Sequence, residues 1–202
     1  MINYKFTEDW FSADDLVQFL PLKTQEEIHF LEIGSFEGKS TVWFLENILL
    51  NEKSTITCID PWTTYSQNNN SFDSYNKVDS EWNFTDNKNT FLHNIYLSGF
   101  KNKVIIEQGF SNEILPKFIL DKKKYDIIFI DGNHTSPFVI TDGIMSWYLL
   151  KEGGLMIFDD YLWSDSNSTL SPKLAVDSFI NCFRDYIEVI WSEYRLVIKK
   201  IK

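Results

Sequence analysis

The chain predicts an α/β fold, a doubly wound and mostly parallel sheet closed by a C-terminal antiparallel hairpin. Short, continuous apolar runs alternate with segments of helical length, which is the pattern of strands covered on both faces by helices. The first such run, ending at Ile33, passes through glycines directly into a helix. The last two runs are joined by only Ser192-Glu193, so short a link that they must pair antiparallel.

Taken in order, Ser12-Ala13-Asp14-Asp15 is a capped helix start, with Leu16, Phe19 and Leu20 as its apolar face and Pro21 as its stop. Residues 1–27 thus read as an N-terminal helical extension. Strand Ile28–Ile33 follows, then a helix from about Lys39 to Leu50 and strand Thr55–Ile59. The polar stretch Thr63–Asn89, with Asn68-Asn69-Asn70, is too long for a passive connection and reads as either a mobile lid or a disordered loop. Next come helix Thr90–Leu97, strand Val104–Glu107, helix Asn112–Ile119, strand Tyr125–Ile130, helix Phe138–Leu150 and strand Gly154–Phe158. Helix Pro172–Phe183 and the runs Tyr186–Trp191 and Tyr194–Lys199 complete the chain.

At 202 residues the chain suits one well-buried domain spanning 1–202 and is short for two. Apolar residues make up 44% and aromatics 16%, which favours a packed globule over disorder. A net charge of −10 argues against nucleic acid or an anionic membrane surface as partner and favours a small neutral or cationic one. Cys58 and Cys182 lie far apart in apolar segments and read as buried free thiols. The first ten residues lack a basic segment followed by an apolar core, and no apolar run approaches transmembrane length, so a soluble, cytoplasmic protein is expected. Tyr4, Phe6 and Trp10 are candidates either for a subunit contact in a homo-oligomer or for packing onto the domain's own sheet.

In an open parallel sheet, ligands bind beyond the carboxyl ends of the strands. The first strand ends in Glu32-Ile33-Gly34-Ser35-Phe36-Glu37-Gly38-Lys39-Ser40, where glycines let a ligand approach the backbone and a helix N-terminus offers free N–H groups. Asp60 ends the second strand and suits ribose hydroxyls that need an acceptor, so the pocket fits a nucleoside carrying little phosphate. Gly109, Phe110 and Ser111 follow the third strand, Asp131 the fourth, and Asp159 and Asp160 the fifth. Like charges so gathered are costly without a compensating cation or ligand. Asp131, Asp159 and Asp160 are therefore candidate oxygen ligands for Mg²⁺ or another divalent cation, although each alone would serve as an ordinary N-cap. His134, three residues after Asp131, titrates near neutrality and is a candidate base for a hydroxyl proton, or else a hydrogen-bonded loop residue. Trp62 packs on a purine, on the predicted lid or in the core.

These segments resemble the class I S-adenosylmethionine-dependent methyltransferases, whose fold is Rossmann-like. Glu32–Thr41, Ile59-Asp60-Pro61-Trp62, Phe129–Thr135 and Gly153–Tyr161 are similar to the metal-dependent O-methyltransferase branch, which includes macrocin-type sugar and catechol-type enzymes. The resemblance implies that Gly34 and its neighbours Glu32, Ser35, Gly38 and Ser40 hold the methionine portion of S-adenosylmethionine, and Asp60 the ribose. It places Ser111 near the adenine, and Asp131, Asp159 and Asp160 on the metal positions. His134 falls where relatives carry a basic residue, and the implied reaction is in-line transfer of the sulfonium methyl to a hydroxyl of a small acceptor. One departure is Gly109-Phe110-Ser111, where many relatives have Gly-Asp-Ser: either a backbone carbonyl meets the adenine amine, or the Phe110 ring packs on the purine.

Two other nucleotide folds fit less well. Gly34-Ser35-Phe36-Glu37-Gly38-Lys39-Ser40 is similar to a P-loop, but its spacer is one residue short and Glu32 and Glu37 add negative charge. A dinucleotide fingerprint would need glycine where Phe36 and Lys39 stand. A cofactor-binding protein of the same fold without activity would be expected to have lost the acids, which are present.

Overall fold

Alternate side chains of each central strand point to opposite faces of one sheet, and both faces are apolar. In β4 (Tyr125–Ile130) the alternation is visible within four residues: Ile128 and Ile130 join one buried cluster while Ile127 and Phe129 join the other. Such a strand needs helices on both sides, and it has them. The computed structural model describes residues 3–21, 24–62, 84–164 and 170–202.

The seven-stranded sheet has the order β3-β2-β1-β4-β5-β7-β6. β1 (His29–Ile33), β2 (Thr55–Asp60), β3 (Val104–Gln108), β4 and β5 (Leu150–Phe158) are parallel. β6 (Ile187–Ser192) and β7 (Leu196–Lys200) form the expected hairpin, with β7 antiparallel to β5. Helix α1 (Lys39–Asn47) covers one face with α2 (Phe84–Ser98), through Val42, Phe44 and Phe91. Helices α3 (Ser111–Leu120), α4 (Ser136–Leu149) and α5 (Pro172–Phe183) cover the other, through Leu115, Trp147 and Phe179. Proline falls in the first turn of α4 and of α5, where its missing N–H leaves no bond unmade.

Four sequence expectations are corrected. The N-terminal helix is only a 3-10 turn, Leu16–Gln18: Leu16 and Leu20 reach the core without further helical turns. The predicted lid lies outside the described residues as far as residue 83, and residues 84–89 are the start of α2. Cys58 is buried but Cys182 is exposed on α5. β3 is a sheet edge with Ile105 and Ile106 partly exposed, so helices do not fully cover it. Among the described residues no helix is long and apolar enough to cross a membrane.

Strand order reverses between β1 and β4, and there the strand ends crowd together. The Gly34 N–H donates to the Ile59 carbonyl at 2.8 Å, and the Asp131 N–H to the Ile33 carbonyl at 2.8 Å. Gly34 has φ +86°, and a Cβ there would lie 2.0 Å from the Asp131 carbonyl oxygen. No side chain fits without parting β1 from β4. Gly34→Ala is expected to destabilise the protein by more than about 1 kcal/mol, seen as a lower denaturant midpoint at unchanged slope. An unchanged midpoint would show that the two strand ends separate freely.

Candidate active site

A cavity of about 630 Å³ opens at the carboxyl ends of β1, β2, β4 and β5. Of the residues singled out in the sequence, Gly34, Ser35, Ser40, Asp60, Trp62, Phe110, Ser111, Asp131, His134, Asp159 and Asp160 line it. Glu32, Gly38 and Gly109 do not. Gly38, at φ +80°, precedes α1 where a Cβ would meet the Phe91 ring at 2.8 Å, and Gly109, at φ +151°, sits where a Cβ would meet Ile114 at 3.1 Å. Their roles here are turning and packing.

Glu32 works from beneath. It is fully buried on the α1 side of β1, and its carboxylate accepts from Ser40 Oγ at 2.6 Å, Ser35 Oγ at 2.8 Å, the Thr41 hydroxyl and the Cys58 thiol. Burial pushes its pKa up, while the hydroxyl donors pull it back. The same burial, with the Glu32 charge, pushes the Cys58 thiol well up, so it is an inert core group.

Asp60 completes the turn from the next strand. One carboxylate oxygen accepts from the Ser35 N–H at 3.0 Å and the Phe36 N–H at 2.9 Å, and the other from the Trp62 N–H at 2.7 Å. The oxygen that meets Trp62 accepts only that one bond and retains acceptor capacity for a ligand hydroxyl. Trp62 is buried, packs at 5.0 Å on Phe91 and donates its indole N–H to the Phe36 carbonyl at 2.7 Å. Phe36, Trp62 and Asp160 all have positive φ, at 45°, 44° and 53°, and all line the cavity. Bulky residues rarely occupy that region, and such strain concentrates where a site over-determines the backbone.

The acids behave differently from one another. His134 Nε2 lies 3.0 Å from Asp160 Oδ2 and 3.7 Å from Asp131 Oδ1. Burial lowers the His134 pKa, but the bonds and charges of Asp131 and Asp160 outweigh it and push it up to about 10. Burial pushes Asp131 up to about 8, with Asp159 adding to the shift and His134 opposing it. Burial also opposes ionisation of Asp160, yet His134, Tyr194 and Arg195 hold it below the usual carboxylate range. In the metal-free protein His134 is thus an imidazolium paired with Asp160 and close to Asp131.

Asp159, the third predicted metal ligand, is engaged elsewhere. The buried Arg195 guanidinium lies against it, Nε 2.8 Å from one oxygen and one terminal nitrogen donating to the other at 3.1 Å. Arg195 also pairs with Asp15. The clustered ligand atoms, all within 4.8 Å of one another, are instead those of Asp131, His134 and Asp160. Of these, the two carboxylate oxygens suit a hard divalent cation, and the imidazole nitrogen lies beside them.

Other groups escaped sequence reasoning. Tyr194 donates to Asp160 at 2.6 Å, and with Arg195 it arrives on the β6–β7 hairpin, because an antiparallel β7 begins where β5 ends. Asp142 on α4 is buried under the site, faces Gly132 and bonds to Ser111; burial pushes its pKa up to about 7. Glu8, Trp10 and Phe11 of the N-terminal segment line the cavity. Tyr4 and Trp10 pack on their own domain, Tyr4 through Glu46 of α1 and Trp10 through a stack on Phe36 at 5.5 Å. Only an unusual pairing across the whole chain signals these residues, and local pattern carries no trace of it.

A family model described as a methyltransferase domain matches residues 31–161. Uncharacterized protein R132 of Acanthamoeba polyphaga mimivirus is 27% identical over 156 residues, covering 76% of this chain and 62% of that protein's length. Among solved structures, the O-methyltransferase TomG from Streptomyces achromogenes, in complex with SAM, is 14% identical at TM-score 0.63, covering 88% of this chain and 75% of that one. MycE methyltransferase of the mycinamycin biosynthetic pathway, in complex with Mg and SAH, is 15% identical at TM-score 0.57, covering 88% of this chain and 46% of that one. These likenesses establish a shared fold.

The raised His134 pKa has a stability consequence. In metal-free protein its pairing contributes stability fully below its unfolded value of about 6.5, and this is lost as pH rises through about 10. His134→Gln is expected to lower the melting temperature of chelator-treated protein at about pH 6, with the gap from the parent closing by about pH 10. An equal gap at both values would contradict the pairing with Asp131 and Asp160.

Proposed function

The chain belongs to the methyltransferase-domain family, and we propose that it is an S-adenosylmethionine-dependent O-methyltransferase acting on a hydroxyl of a small molecule, a sugar or glycosylated compound. One observation carries the reading. At the switch point of the sheet, a glycine turn braced by Glu32 and Asp60 shares a cavity with the Asp131, His134 and Asp160 group. The first half is suited to a nucleoside and its methionine tail, the second to a hydroxyl nucleophile.

S-adenosylmethionine supplies the reactive methyl carbon. Gly34 and Ser35 form the turn on the cavity wall, and Asp60 offers acceptor capacity at the end of β2, the position suited to ribose hydroxyls. Phe110 and Ser111 line the cavity, with Asp142 bonded to Ser111, and would flank the adenine. The hydroxyls of Ser40 and Thr41, which a P-loop would turn toward phosphate and Mg²⁺, are instead given to Glu32, and this disfavours a nucleoside triphosphate.

A divalent cation held by Asp131 and Asp160 would orient the acceptor and lower the pKa of its hydroxyl. Mg appears with the related fold of MycE, which supports but does not transfer the assignment. The same ring nitrogen lies 3.0 Å from Asp160 and 3.7 Å from Asp131, so the His134 proton and a cation would compete for these acids. With a cation on those acids His134 would lose that pairing and would be free to take the proton of the acceptor hydroxyl. Asp159, neutralised by Arg195, positions the loop that carries Asp160: its oxygen also accepts the Asp160 N–H at 2.9 Å.

The test is methyl transfer from labelled S-adenosylmethionine to catechol and methyl glycosides, with Mg²⁺. Asp160→Ala is expected to lose at least about 100-fold in turnover while S-adenosylhomocysteine affinity changes by no more than a few-fold. Full turnover by this variant, or by chelator-treated parent protein, would remove the cation from the reaction.

A further inference from the structure

The N-terminal segment is built into the cavity wall. Lys5 exchanges two hydrogen bonds with Asn94 of α2, its N–H donating at 2.9 Å and its carbonyl accepting at 2.7 Å. Thr7 gives both its N–H and its hydroxyl to the buried Glu37 carboxylate, at 2.7 and 2.9 Å. These ties set Trp10 on Phe36 beside the glycine turn, 66% exposed yet lining the cavity. A second indole, Trp163, packs on the His134 ring at 5.4 Å and donates its backbone N–H to the Asp160 carbonyl at 2.9 Å. Two partly exposed indoles therefore share one cavity with the acid and histidine group.

The charge of that cavity is lopsided. Glu8, Glu37, Asp60, Asp131, Asp159 and Asp160 line it, against Lys39 and His134 as its basic residues among the described residues. Lys39 is paired with Asp9, and His134 with Asp160. Asp159 is neutralised by Arg195, and the five remaining acids carry one charge more than Lys39, His134 and an added divalent cation together. An anionic acceptor would meet repulsion and find no unpaired lysine or arginine among the described lining residues, whereas a cationic one would be attracted by the acids and by the indole faces.

Resting on the methyltransferase reading, we propose that the acceptor is a neutral or cationic hydroxylated ring bearing no phosphate or carboxylate, and that Trp10 and Trp163 determine its selection by packing against the ring. Phosphorylated and acyl-CoA-type acceptors are thereby excluded. Indoles supply large, rigid apolar faces suited to the flat side of either a sugar or a phenol, and the acids admit the ring only if it brings no negative charge.

The test uses the full chain saturated with S-adenosylhomocysteine and Mg²⁺, titrated calorimetrically with matched rings. Dopamine, catechol and 3,4-dihydroxybenzoate form one charge series, and glucosamine, methyl glucoside and glucuronate the other. In at least one scaffold the anion is expected to bind at least about 10-fold more weakly than the neutral ring. Trp10→Ala and Trp163→Ala should each weaken the neutral and cationic probes about 5-fold or more, with S-adenosylhomocysteine affinity unchanged and Trp10→Phe restoring binding. Glu8→Lys should strengthen the anionic probe. Anions binding as tightly as neutral rings, tryptophan variants that change nothing, or no probe binding to the S-adenosylhomocysteine-loaded protein would each overturn the proposal and leave the methyltransferase reading standing. Failure to bind S-adenosylhomocysteine at all would remove both.

Discussion

A single buried carboxylate organises the ligand-facing end of this sheet. Glu32 ends β1 inside the protein, where an unpaired charge would be strongly unfavourable, and it is tolerated because hydroxyls from Ser35, Ser40 and Thr41 converge on it. Those partners lie in the turn and in the first residues of α1, so satisfying Glu32 fixes the path of the chain from strand to helix. With that path fixed, the Ser35 and Phe36 amides face Asp60 and the Phe36 carbonyl meets the Trp62 indole. The result is a turn held from two strands at once, rigid before any ligand arrives.

The other half of the site depends on topology. Because β7 runs antiparallel to β5, the hairpin that begins it lies beside the acids that end β5, and Tyr194 and Arg195 reach Asp160 and Asp159. Arg195 extends the connection to Asp15 and stacks over Phe11 at 5.6 Å, which joins the N-terminal segment to the strand-end acids. Three regions distant in sequence therefore share one electrostatic group. The two adjacent aspartates are divided by it: Asp159 is committed to a guanidinium, while Asp160 stays with the cavity and the imidazolium.

The sheet was legible because burial on both faces leaves apolar runs of strand length, and β4 and α5 have the expected bounds. The N-terminal helix misled because Leu16 and Leu20 have helical spacing, yet tertiary burial of those two residues is satisfied by one 3-10 turn. Strand-end acids were legible from the rule that parallel sheets bind at their carboxyl ends, and the structure gathers Asp60, Asp131, Asp159 and Asp160 on one cavity. What each acid does was not legible. Arg195 and Asp15 are separated from Asp159 by long stretches of chain, and nothing local marks an arginine that will be buried. Glu32 and Gly38 illustrate the same limit: their position in a ligand-binding motif says nothing about whether they face the ligand or brace the turn that does.

Isothermal titration of purified protein with S-adenosylhomocysteine, with and without Mg²⁺, bears most directly on the joined cavity. Stoichiometric binding is expected in both conditions, since the Glu32-braced turn and Asp60 do not depend on a cation. Absence of binding in folded, cofactor-free protein under either condition would contradict that expectation and return a different nucleotide ligand to that turn.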